Sequence, residues 1–372
     1  MIPKYQLVAD ALRRDIAGGV YQDGAALLTE AELKAQFGVS RQTVRQAISL
    51  LENDGLVVRR RGSGTYVMHG PRKRSGVINV GVITSYITDY IFPSIVRGIE
   101  SVLSMENCVM SLSATYNRTD RERALLARVL EAPVDGLIIE GTKTALPNPN
   151  IPLYERLWER NIPVLFINGF YPQLRRNVHV VTDDEGGGRQ AVEMLLFRGF
   201  RRIGGIFKSD DMQGRLRYQG YAAALQAAGC PCGEHRVRWF NTENKRGFLE
   251  EEAGVSFLHC VKQDMDALVC YNDEIALLLL DRLEALGVSV PGNLSLVSFD
   301  NSAFASVCKP KLTSFSHPKD AFGREAAAKL LRMIAGGAEE SVVLPWTLIE
   351  RESVRRPADS PNGGGQAADE TN

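Results

Sequence analysis

The chain has 372 residues, of which 44% are hydrophobic, so it can bury two or three ordinary cores. It contains no signal-peptide pattern and no apolar run long enough to cross a bilayer, which argues against an exported or membrane protein and predicts a cytoplasmic one. The 44 basic and 44 acidic residues cancel overall, but residues 1–75 hold 12 Lys and Arg against 7 Asp and Glu, which favours a nucleic-acid contact confined to the N-terminus.

Residues 29–51 have the pattern of a helix-turn-helix in which both helix starts are marked. Thr29 and Glu32 form a capping box that opens a short helix, and Gly38 breaks the chain behind it. Ser40 then caps a second helix, whose apolar residues recur at helical spacing. We expect the following residues of this second helix to face a core: Val44, Ile48 and Leu51.

The second helix also carries a polar face that suits DNA. Arg41 and Arg45 lie one turn apart, beside Gln42. Arginine and glutamine side chains can each read a base edge with two hydrogen bonds, and the major groove admits the N-terminal part of a helix. The pattern therefore predicts a recognition helix.

A β-hairpin is predicted directly after this helix, over residues 56–67. It carries three consecutive arginines, Arg59 to Arg61, followed by a tip that contains glycine. A basic hairpin beside a recognition helix is typical of a wing that contacts phosphates or enters the minor groove. The alternative is a three-helix protein-binding module, which the capping pattern, the arginine spacing and the wing together disfavour.

The first 68 residues resemble the winged-helix domain of the GntR regulators. The resemblance is carried by three stretches, which are Ala26–Glu30, Val39–Arg45 and Gly62–Thr65. It implies a winged helix-turn-helix DNA-binding domain over residues 1–68. Position 31 is a departure, because some members place a DNA-contacting arginine where this chain has Ala31. No contact is assigned to that position.

Two further segments are predicted to lie outside the folded domains. Residues 69–76 combine turn formers with a basic triplet and lack apolar periodicity, which is typical of a linker. Residues 357–372 are rich in Gly, Ala, Asp, Ser and Pro and are expected to form a disordered tail.

Residues 77–356 alternate short apolar strands with helical stretches, which indicates an α/β domain with parallel sheets covered on both faces. The predicted strands are 77–83, 109–113, 136–140, 164–167, 179–182, 203–207, 237–240, 267–270 and 294–298. The predicted helices include 92–105, 119–130, 187–197, 218–228, 273–286 and 324–334. About ten strands are many for one strongly twisted sheet, so two smaller doubly wound lobes fit better.

Polar side chains follow most of these strands, at the sheet edge where open α/β folds bind their ligands. They include carboxylates, amides and cations, with aromatic side chains after the first strand. This mixture suits a polyhydroxylated neutral ligand, because each hydroxyl needs a donor and an acceptor and the C–H face of a sugar can pack on a ring. The candidates are Tyr86, Asp89, Tyr90, Phe92, Glu140, Lys143, Asn168, Asp183, Lys208, Gln213, Arg217, Asn272 and Asp300.

Each candidate also has a purely structural interpretation. A polar residue at a strand end commonly caps the next helix, and four aspartates at strand ends could do only that: Asp183, Asp184, Asp273 and Asp300. Glu140 and Lys143 could pair at the surface, and Arg217 could brace the core. The candidates together support a ligand site better than any one of them does, because polar residues follow six of the strands.

The sequence gives little support to an enzyme or a metalloprotein. The six cysteines are irregularly spaced, without a Cys-x-x-Cys pair, and are expected to be reduced thiols, with zinc binding or redox sensing as the weaker alternative. His235 and His259 lie away from the polar strand ends. We expect no catalytic residue, no metal and no cofactor. A sugar-transport binding protein is also disfavoured, because the chain begins with a DNA-binding pattern in place of an export signal.

Residues 77–356 resemble the sensor domain of the LacI/GalR regulators. The matching stretches are Gly81–Ile83, Asp135–Ile139, Ile162–Val164, Arg217–Gly220, Tyr271–Ala276, Val290–Pro291, Leu296–Asp300 and Leu312–Ser314. The resemblance implies a two-lobed periplasmic-binding-protein fold with three crossovers. It maps the effector-binding arginine, asparagine and aspartate of that family onto Arg217, Asn272 and Asp300.

A GntR-type head on a LacI/GalR-type body is the combination found in the bacterial arabinose-operon repressors, which this chain also resembles in Thr84–Ile95, Glu140–Lys143 and Gly205–Gly214. This resemblance implies a repressor that a sugar releases from its operator, with L-arabinose expected and another pentose, hexose or nucleoside as the alternative. Because a single winged helix contacts half a site, we expect a homodimer on pseudo-palindromic double-stranded DNA. The expected DNA contacts are Lys4, Glu30, Arg41, Gln42, Thr43, Arg45, Arg61 and Gly64.

Overall fold

The computed structural model describes residues 3–22, 24–53, 56–60, 63–67, 77–88 and 90–356. Four features predicted from the sequence therefore lie outside the described residues. They are the linker at 69–76, the tail at 357–372, Arg61 in the wing and Asp89 among the effector candidates. Within the described residues, every helix is too short or too polar to span a lipid bilayer.

The N-terminal domain is the winged helix-turn-helix that the sequence predicted. Its elements are α1 (Lys4–Ala17), α2 (Glu30–Phe37), α3 (Arg41–Asn53), β1 (Val57–Arg60) and β2 (Gly64–Val67). The two strands pair antiparallel, and Ala26 forms an additional bridge to Tyr66. The three predicted core residues of α3 are at most 1% exposed and pack in one core with α1, α2 and the wing.

The rest of the described chain forms two parallel sheets with helices on both faces. The strands are β3 (Ile78–Thr84), β4 (Cys108–Ala114), β5 (Gly136–Glu140), β6 (Val164–Ile167), β7 (His179–Thr182), β8 (Ile203–Lys208), β9 (Val237–Phe240), β10 (Ala267–Cys270), β11 (Ser295–Phe299), β12 (Thr313–Ser316), β13 (Val342–Leu344) and β14 (Thr347–Ile349). The helices are α4 (Phe92–Leu103), α5 (Thr119–Glu131), α6 (Ile151–Glu159), α7 (Asp184–Phe197), α8 (Met212–Ala227), α9 (Glu252–Asp264), α10 (Asp273–Ala285), α11 (Ala303–Val307) and α12 (Lys319–Ile334).

Each sheet belongs to one lobe. The first lobe has the strand order β13-β7-β6-β5-β3-β4, with α4 and α12 on one face and α5 and α6 on the other. The second lobe has the order β14-β12-β11-β10-β8-β9, with α9 and α10 on one face and α7 and α8 on the other. All pairings are parallel except the one between β12 and β14.

The chain passes between the lobes three times. It leaves the first lobe after β7, returns to it between β12 and α12, and leaves again between β13 and β14. Each lobe is therefore discontinuous in sequence, and the expected two-lobed fold with three crossovers is confirmed. The carboxyl ends of the strands in both sheets face the cleft between the lobes, which is where such folds bind ligands.

Glycines allow two helices to approach closely behind this cleft. A Cβ atom added at Gly188 of α7 would lie 2.0 Å from the backbone oxygen of Arg217, and one at Gly220 of α8 would lie 1.9 Å from that of Glu185. Only glycine fits at these crossing points. The contact fixes α7 against α8, and each helix supplies a charged residue to the cleft.

The sequence-based assignment of elements was incomplete at several points. The strands β12, β13 and β14 and the helices α6, α9 and α11 were not predicted. The helices α7, α8 and α12 also begin three to six residues earlier than predicted, at Asp184, Met212 and Lys319. In α7 and α8 the first turns are rich in glycine and polar residues and lack apolar periodicity, so the side-chain caps at Asp183 and Asp211 mark the true starts.

Candidate DNA-binding and effector-binding sites

The helix-turn-helix has both of its predicted caps. The Thr29 hydroxyl accepts a hydrogen bond from the backbone N–H of Glu32, and the Glu32 carboxylate accepts one from the backbone N–H of Thr29, which completes the capping box. Gly38 ends α2 in the left-handed region, with φ 60°. The Ser40 hydroxyl accepts a hydrogen bond of 3.1 Å from the backbone N–H of Thr43 at the start of α3. These caps fix the angle at which α3 leaves the turn.

The polar face of α3 is exposed, and one carboxylate orders it. Glu30 of α2 accepts hydrogen bonds from Arg41 Nε at 2.8 Å and from Arg45 Nε at 3.0 Å. The hydrogen bond from Arg41 lowers the pKa of Glu30, burial opposes this shift, and Arg45 adds to it. Both guanidinium groups keep most of their surface, since their side chains are 69% and 58% exposed. Glu30 thus holds two donors side by side at the start of the recognition helix.

The other described candidates for DNA contact lie at the surface of the same domain. Lys4 is exposed on the first turn of α1, and Gln42 is exposed on the first turn of α3. The Thr43 hydroxyl lies 2.8 Å from the Ser40 hydroxyl, so it also takes part in the cap of α3. Gly64 begins the second wing strand with φ 118°, a conformation that L side chains rarely adopt.

The two wing arginines that the structure describes, Arg59 and Arg60, make different contacts. Arg59 donates hydrogen bonds to the backbone oxygen of Arg45 at 3.2 Å and to the Ser49 hydroxyl at 3.1 Å, so it ties the wing to α3. Arg60 stacks over the ring of Tyr66 with its guanidinium carbon 4.8 Å from the ring centroid. The sequence suggested phosphate contacts for the whole run, but the contacts of Arg59 show that it braces the domain.

Arg217 is the centre of the charged cluster between the lobes. Its side chain is 1% exposed, its Nε lies 2.8 Å from Asp184 Oδ1, and one of its terminal nitrogens lies 3.7 Å from Asp300 Oδ1. It also donates to the backbone oxygen of Tyr271. Burial lowers the pKa of Arg217, but the charges of Asp184 and Asp300 outweigh burial and the net shift is upward, so the guanidinium stays charged.

Aromatic rings enclose this guanidinium. Its central carbon lies 4.4 Å from the ring centroid of Phe299 and 5.0 Å from those of Tyr271 and Trp346. Burial raises the pKa of Asp184 to about 6, with Arg217 opposing the shift and Asp300 adding to it. The cluster is a low-dielectric site in which hydrogen bonds to charged groups are strong.

Tyr90 connects the two lobes beside this cluster. It comes from the first lobe, and its hydroxyl lies 3.3 Å from the backbone oxygen of Phe299 and accepts a hydrogen bond of 3.2 Å from the backbone N–H of Asp273. Tyr90 and Asp300 both have positive φ, at 64° and 89°. Non-glycine residues seldom adopt such angles, and strain of this kind concentrates at functional sites.

The first lobe contributes a buried carboxylate. Glu140, at the end of β5, accepts hydrogen bonds from the backbone N–H of Ser85 at 2.6 Å and from the Asn168 side-chain amide at 3.1 Å. Burial raises the pKa of Glu140, and the hydrogen bond from Ser85 and the charge of Lys208 oppose the shift. Glu140 and Asn168 therefore form one acceptor and donor pair on the cleft wall.

The second lobe places a half-buried cation opposite this pair. Lys208, at the end of β8, lies 3.0 Å from Asp211 Oδ2 and 3.4 Å from Asp210 Oδ1. Burial lowers the pKa of Lys208, but Asp211 and Asp210 outweigh burial and raise it overall. Asp211 also accepts a hydrogen bond of 2.7 Å from the Tyr271 hydroxyl. The charge of Lys208 opposes the rise in the pKa of Glu140 on the other wall of the cleft.

Three contacts hold the cleft rim together. Lys143 of the first lobe forms an ion pair with Glu243 of the second. The backbone N–H of Met212 donates to the Thr144 hydroxyl at 3.0 Å. The Asn117 amide of the first lobe donates to the Thr242 hydroxyl of the second at 2.5 Å. With the Tyr90 contacts, these describe a structure in which the two lobes are closed on each other.

The remaining effector candidates include two helix caps, a half-buried glutamine and two aromatic side chains. Asp183 and Asn272 cap α7 and α10, with side-chain oxygens 3.0 Å from the backbone nitrogens of Gly186 and Ile275. Gln213 is half-buried in the first turn of α8. Tyr86 is half-buried, and its ring centroid lies 5.8 Å from that of Phe92, which is 7% exposed and belongs to the core of the first lobe.

The structure also gives roles at the cleft to residues outside the set of effector candidates. Asp184, next to the predicted Asp183, carries the ion pair with Arg217, because Asp183 serves as the cap of α7. Asp183 and Asp184 are the same residue type at neighbouring positions, so the pattern alone does not show which of them caps α7. Tyr271, next to Asn272, and Asp211, between Lys208 and Gln213, were not selected as effector candidates.

Comparisons with known proteins agree with both parts of the architecture. The family of bacterial regulatory proteins called the gntR family matches residues 4–67, and a periplasmic binding protein-like domain matches residues 192–354. The arabinose metabolism transcriptional repressor of Geobacillus stearothermophilus is 38% identical over 335 residues, which are 90% of this chain and 92% of that protein.

Two further similarities extend this result. The arabinose metabolism transcriptional repressor of Halalkalibacterium halodurans is 35% identical over 369 residues, which are 95% of this chain and 97% of that protein. A solved structure, the transcriptional regulator CelR–cellobiose complex, is 27% identical with a TM-score of 0.63 and covers 85% of this chain and 91% of that chain.

A winged helix-turn-helix head with an ordered arginine pair, joined to a two-lobed sensor domain, defines a ligand-responsive transcriptional regulator. The matches over nine-tenths of the chain are to DNA-binding repressors, so it is a regulator and not an enzyme. The chain belongs to the family of arabinose metabolism transcriptional repressors.

Proposed function

We propose that this repressor controls arabinose-utilisation genes in the cytoplasm and is released from its operator when L-arabinose binds between the two lobes. The observation that supports this most is the lining of the cleft. Arg217, Asp184 and Asp300 stand at one part of it, and Glu140 and Lys208 stand at another. These groups alternate donors and acceptors over a short distance.

A neutral sugar suits this lining better than a charged ligand does. Each hydroxyl both donates and accepts, so it can satisfy a carboxylate with its hydrogen and a guanidinium or ammonium with its oxygen. The rings of Tyr86 and Tyr90 provide faces for the C–H side of a sugar ring. The names of the two repressor relatives support arabinose, and the complex of CelR with cellobiose supports a carbohydrate ligand in a relative of this fold.

The proposed DNA contacts are those of the exposed helix face and wing. Arg41 and Arg45 would read base edges in the major groove, with Gln42 beside them. Lys4, Thr43 and Gly64 would contact the backbone or position these readers, and Arg61, outside the described residues, would extend the wing toward the duplex. Glu30 would keep both arginines aligned before and after DNA binds.

The functional unit in this proposal is a homodimer on a pseudo-palindromic operator. A dimer places two recognition helices one helical turn, or multiples of it, apart on the duplex. The helices α10 and α11 pack against each other and expose apolar side chains, among them Leu278, Phe304 and Val307, which are 36%, 49% and 73% exposed. An exposed apolar surface of this kind favours a contact between two copies.

Effector binding would stabilise the closed arrangement of the lobes and change the relation of the two DNA-binding heads. A ligand shifts such an equilibrium only by its difference in affinity for the two states. To move a population from 1:99 to 99:1, that difference must be about 5.5 kcal/mol.

Thermal-shift and calorimetric titration of the full-length protein with a panel of sugars tests the effector assignment. We expect L-arabinose to raise the melting temperature and to bind at one site per chain. Binding of another pentose, a hexose or a nucleoside in its place would show that the same release mechanism responds to that ligand. The absence of binding by any member of the panel would contradict the proposed effector site.

A further inference from the structure

A second polar cluster lies on the second lobe, at the edge of the sheet opposite to the cleft. His235, Cys260 and Asp264 each offer one atom of a metal-ligand type, and these atoms lie within 4.8 Å of one another. His235 lies two residues before the start of β9, and Asp264 ends α9 three residues before the start of β10. The cluster is therefore built where strands begin, far from the effector candidates at the strand ends.

The local structure brings the three side chains to one place. Cys260 and Asp264 are four residues apart on α9, so they lie on the same face of that helix. His235 belongs to a short 3₁₀ turn, Glu234–Arg236, that packs against α9. Its Nε2 atom lies 3.7 Å from Asp264 Oδ2. The three ligands thus come from two segments that the fold already holds together.

Arg236 supports the carboxylate of this cluster. Its Nε and one terminal nitrogen lie 3.0 Å and 2.7 Å from Asp264, and both contacts end on Oδ2. Among the hydrogen bonds of the described residues, none ends on Oδ1, so that oxygen remains available to a ligand. Metal-binding carboxylates commonly have a hydrogen-bonded partner of this kind that fixes their orientation.

We propose that His235, Cys260 and Asp264 form a zinc-binding site on the second lobe. Zinc takes thiolate sulfur, imidazole nitrogen and carboxylate oxygen as ligands, at about 2.0–2.3 Å and in tetrahedral geometry. Ligand atoms in such a geometry are about 3.5 Å apart, so rotations of the exposed His235 side chain and of the half-buried Cys260 and Asp264 side chains close the present separations. Harder cations such as magnesium and calcium prefer sites made of oxygen alone.

The surroundings leave space for the fourth ligand. A surface recess of about 480 Å³ adjoins the cluster and is lined by His235, Cys260, Glu234, Glu252 and other residues. A water molecule entering from this recess would complete four-coordination. Burial raises the pKa of Cys260, with Asp264 adding to the shift and Arg236 opposing it, so the free site carries a thiol. When zinc binds, the S–H bond breaks, the S–Zn bond forms, and the proton passes to solvent.

The primary sequence alone does not indicate this site, and we expected no metal from it. The cysteine and the histidine are in different elements and have none of the short spacings of known zinc motifs. Only the packing of the 3₁₀ turn against α9 places them together.

Cobalt substitution of the full-length protein tests the site. One equivalent of Co²⁺ should produce the near-ultraviolet absorption of a thiolate–cobalt bond, and added Zn²⁺ should abolish it. Cys260→Ser should remove the absorption. His235→Ala, at a side chain that is 63% exposed and carries little folding energy, should weaken Zn²⁺ affinity at least about tenfold.

Two other cysteines serve as matched controls. Cys108→Ser, in β4 of the first lobe, and Cys232→Ser, at an exposed position near His235, should retain the absorption. Loss of the band in either control, its persistence in Cys260→Ser, or unchanged Zn²⁺ affinity in His235→Ala would overturn the proposed ligand set. A wild-type protein without any thiolate–cobalt absorption would overturn the site as a whole.

Discussion

The Nε atom of Arg217 lies 2.8 Å from Asp184 Oδ1, and the two side chains are 1% and 2% exposed. This ion pair joins α8 to the first residue of α7, the helix that follows the first crossover between the lobes. A buried pair of this kind seldom adds much net stability, because desolvation offsets the attraction. Its position at the cleft supports the role in effector binding that we propose for it.

Replacement of Arg217 by alanine should separate DNA binding from sugar response. We expect Arg217→Ala to bind the operator as the parent protein does but to remain bound when L-arabinose is added, because the guanidinium that would hold the sugar is gone. The variant should also lose about 3–5 kcal/mol of stability, since Asp184 is left buried without its partner. Gel-shift assays with and without sugar measure the first effect.

Arg215→Ala is the matched control for this experiment. Arg215 lies on the same helix two residues earlier, is exposed, and donates to the backbone oxygen of Ser209. It should respond to sugar normally. Normal release of Arg217→Ala from the operator by L-arabinose would place the effector elsewhere.

Asp184 should give stability a characteristic dependence on pH. Its pKa in the folded protein is raised to about 6, whereas an unfolded aspartate titrates near 3.9. Because the folded state then binds the proton more readily, the contribution of Asp184 to the free energy of unfolding is fully present below about pH 4 and is lost as the pH rises through 6.

Comparison with Asp184→Asn isolates this contribution. The difference in the free energy of unfolding between the parent and the variant should change by roughly 1–3 kcal/mol between pH 4 and 7. The parent should become less stable relative to the variant as the pH rises. Chemical denaturation at several pH values measures it. A constant difference across that range would show that the carboxyl does not titrate there.

Arg45 should contribute to operator affinity without affecting the sensor domain. Arg45→Ala removes a side chain that is 58% exposed on the face of α3, and we expect a loss of about 1–3 kcal/mol in operator binding. Calorimetry should show unchanged sugar affinity. Arg14→Ala removes the same charge from an exposed site on α1 and should cost less. Equal losses of operator affinity in the two variants would show that Arg45 contributes only through its charge.

Glu30 should determine specificity more than affinity. Glu30→Gln keeps the shape of the side chain but removes the charge that aligns Arg41 and Arg45. We expect the ratio of operator to random-duplex affinity to fall, while binding to random duplex holds or rises because an acidic group is lost. Fluorescence anisotropy at one fixed salt concentration measures both affinities.

Glu32→Gln provides the control for the charge alone. Glu32 completes the capping box with Thr29, and glutamine can occupy the same position of that box. This variant should keep its specificity ratio. The prediction for Glu30 would be wrong if both substitutions changed the ratio equally.

The sequence was most informative where local signals coincide. In the head, capping residues, a glycine stop and apolar periodicity all agree, and α2, α3 and the wing lie where they were expected. In the sensor domain the central strands are buried on both faces and appear as continuous apolar runs, for example Gly136–Glu140 and Ala267–Cys270. These segments define the sheets and therefore the edge where the candidate site lies.

The sequence was least informative where tertiary contacts decide. The strands β13 and β14 have three residues each, too few for a pattern, and they form by pairing with β7 and β12. Asp183 caps α7 and Asp184 pairs with Arg217, and this assignment depends on the exact start of α7. Cross-lobe partners such as Lys143 and Glu243 lie far apart in the chain, so only the closed fold identifies them.

The most direct test is operator binding by the full-length protein at physiological salt, measured with and without L-arabinose and against a random duplex of equal length. The predicted result is a clear preference for the operator that L-arabinose abolishes. Equal binding to both duplexes, or operator affinity that stays the same in saturating L-arabinose, would contradict a sugar-released repressor.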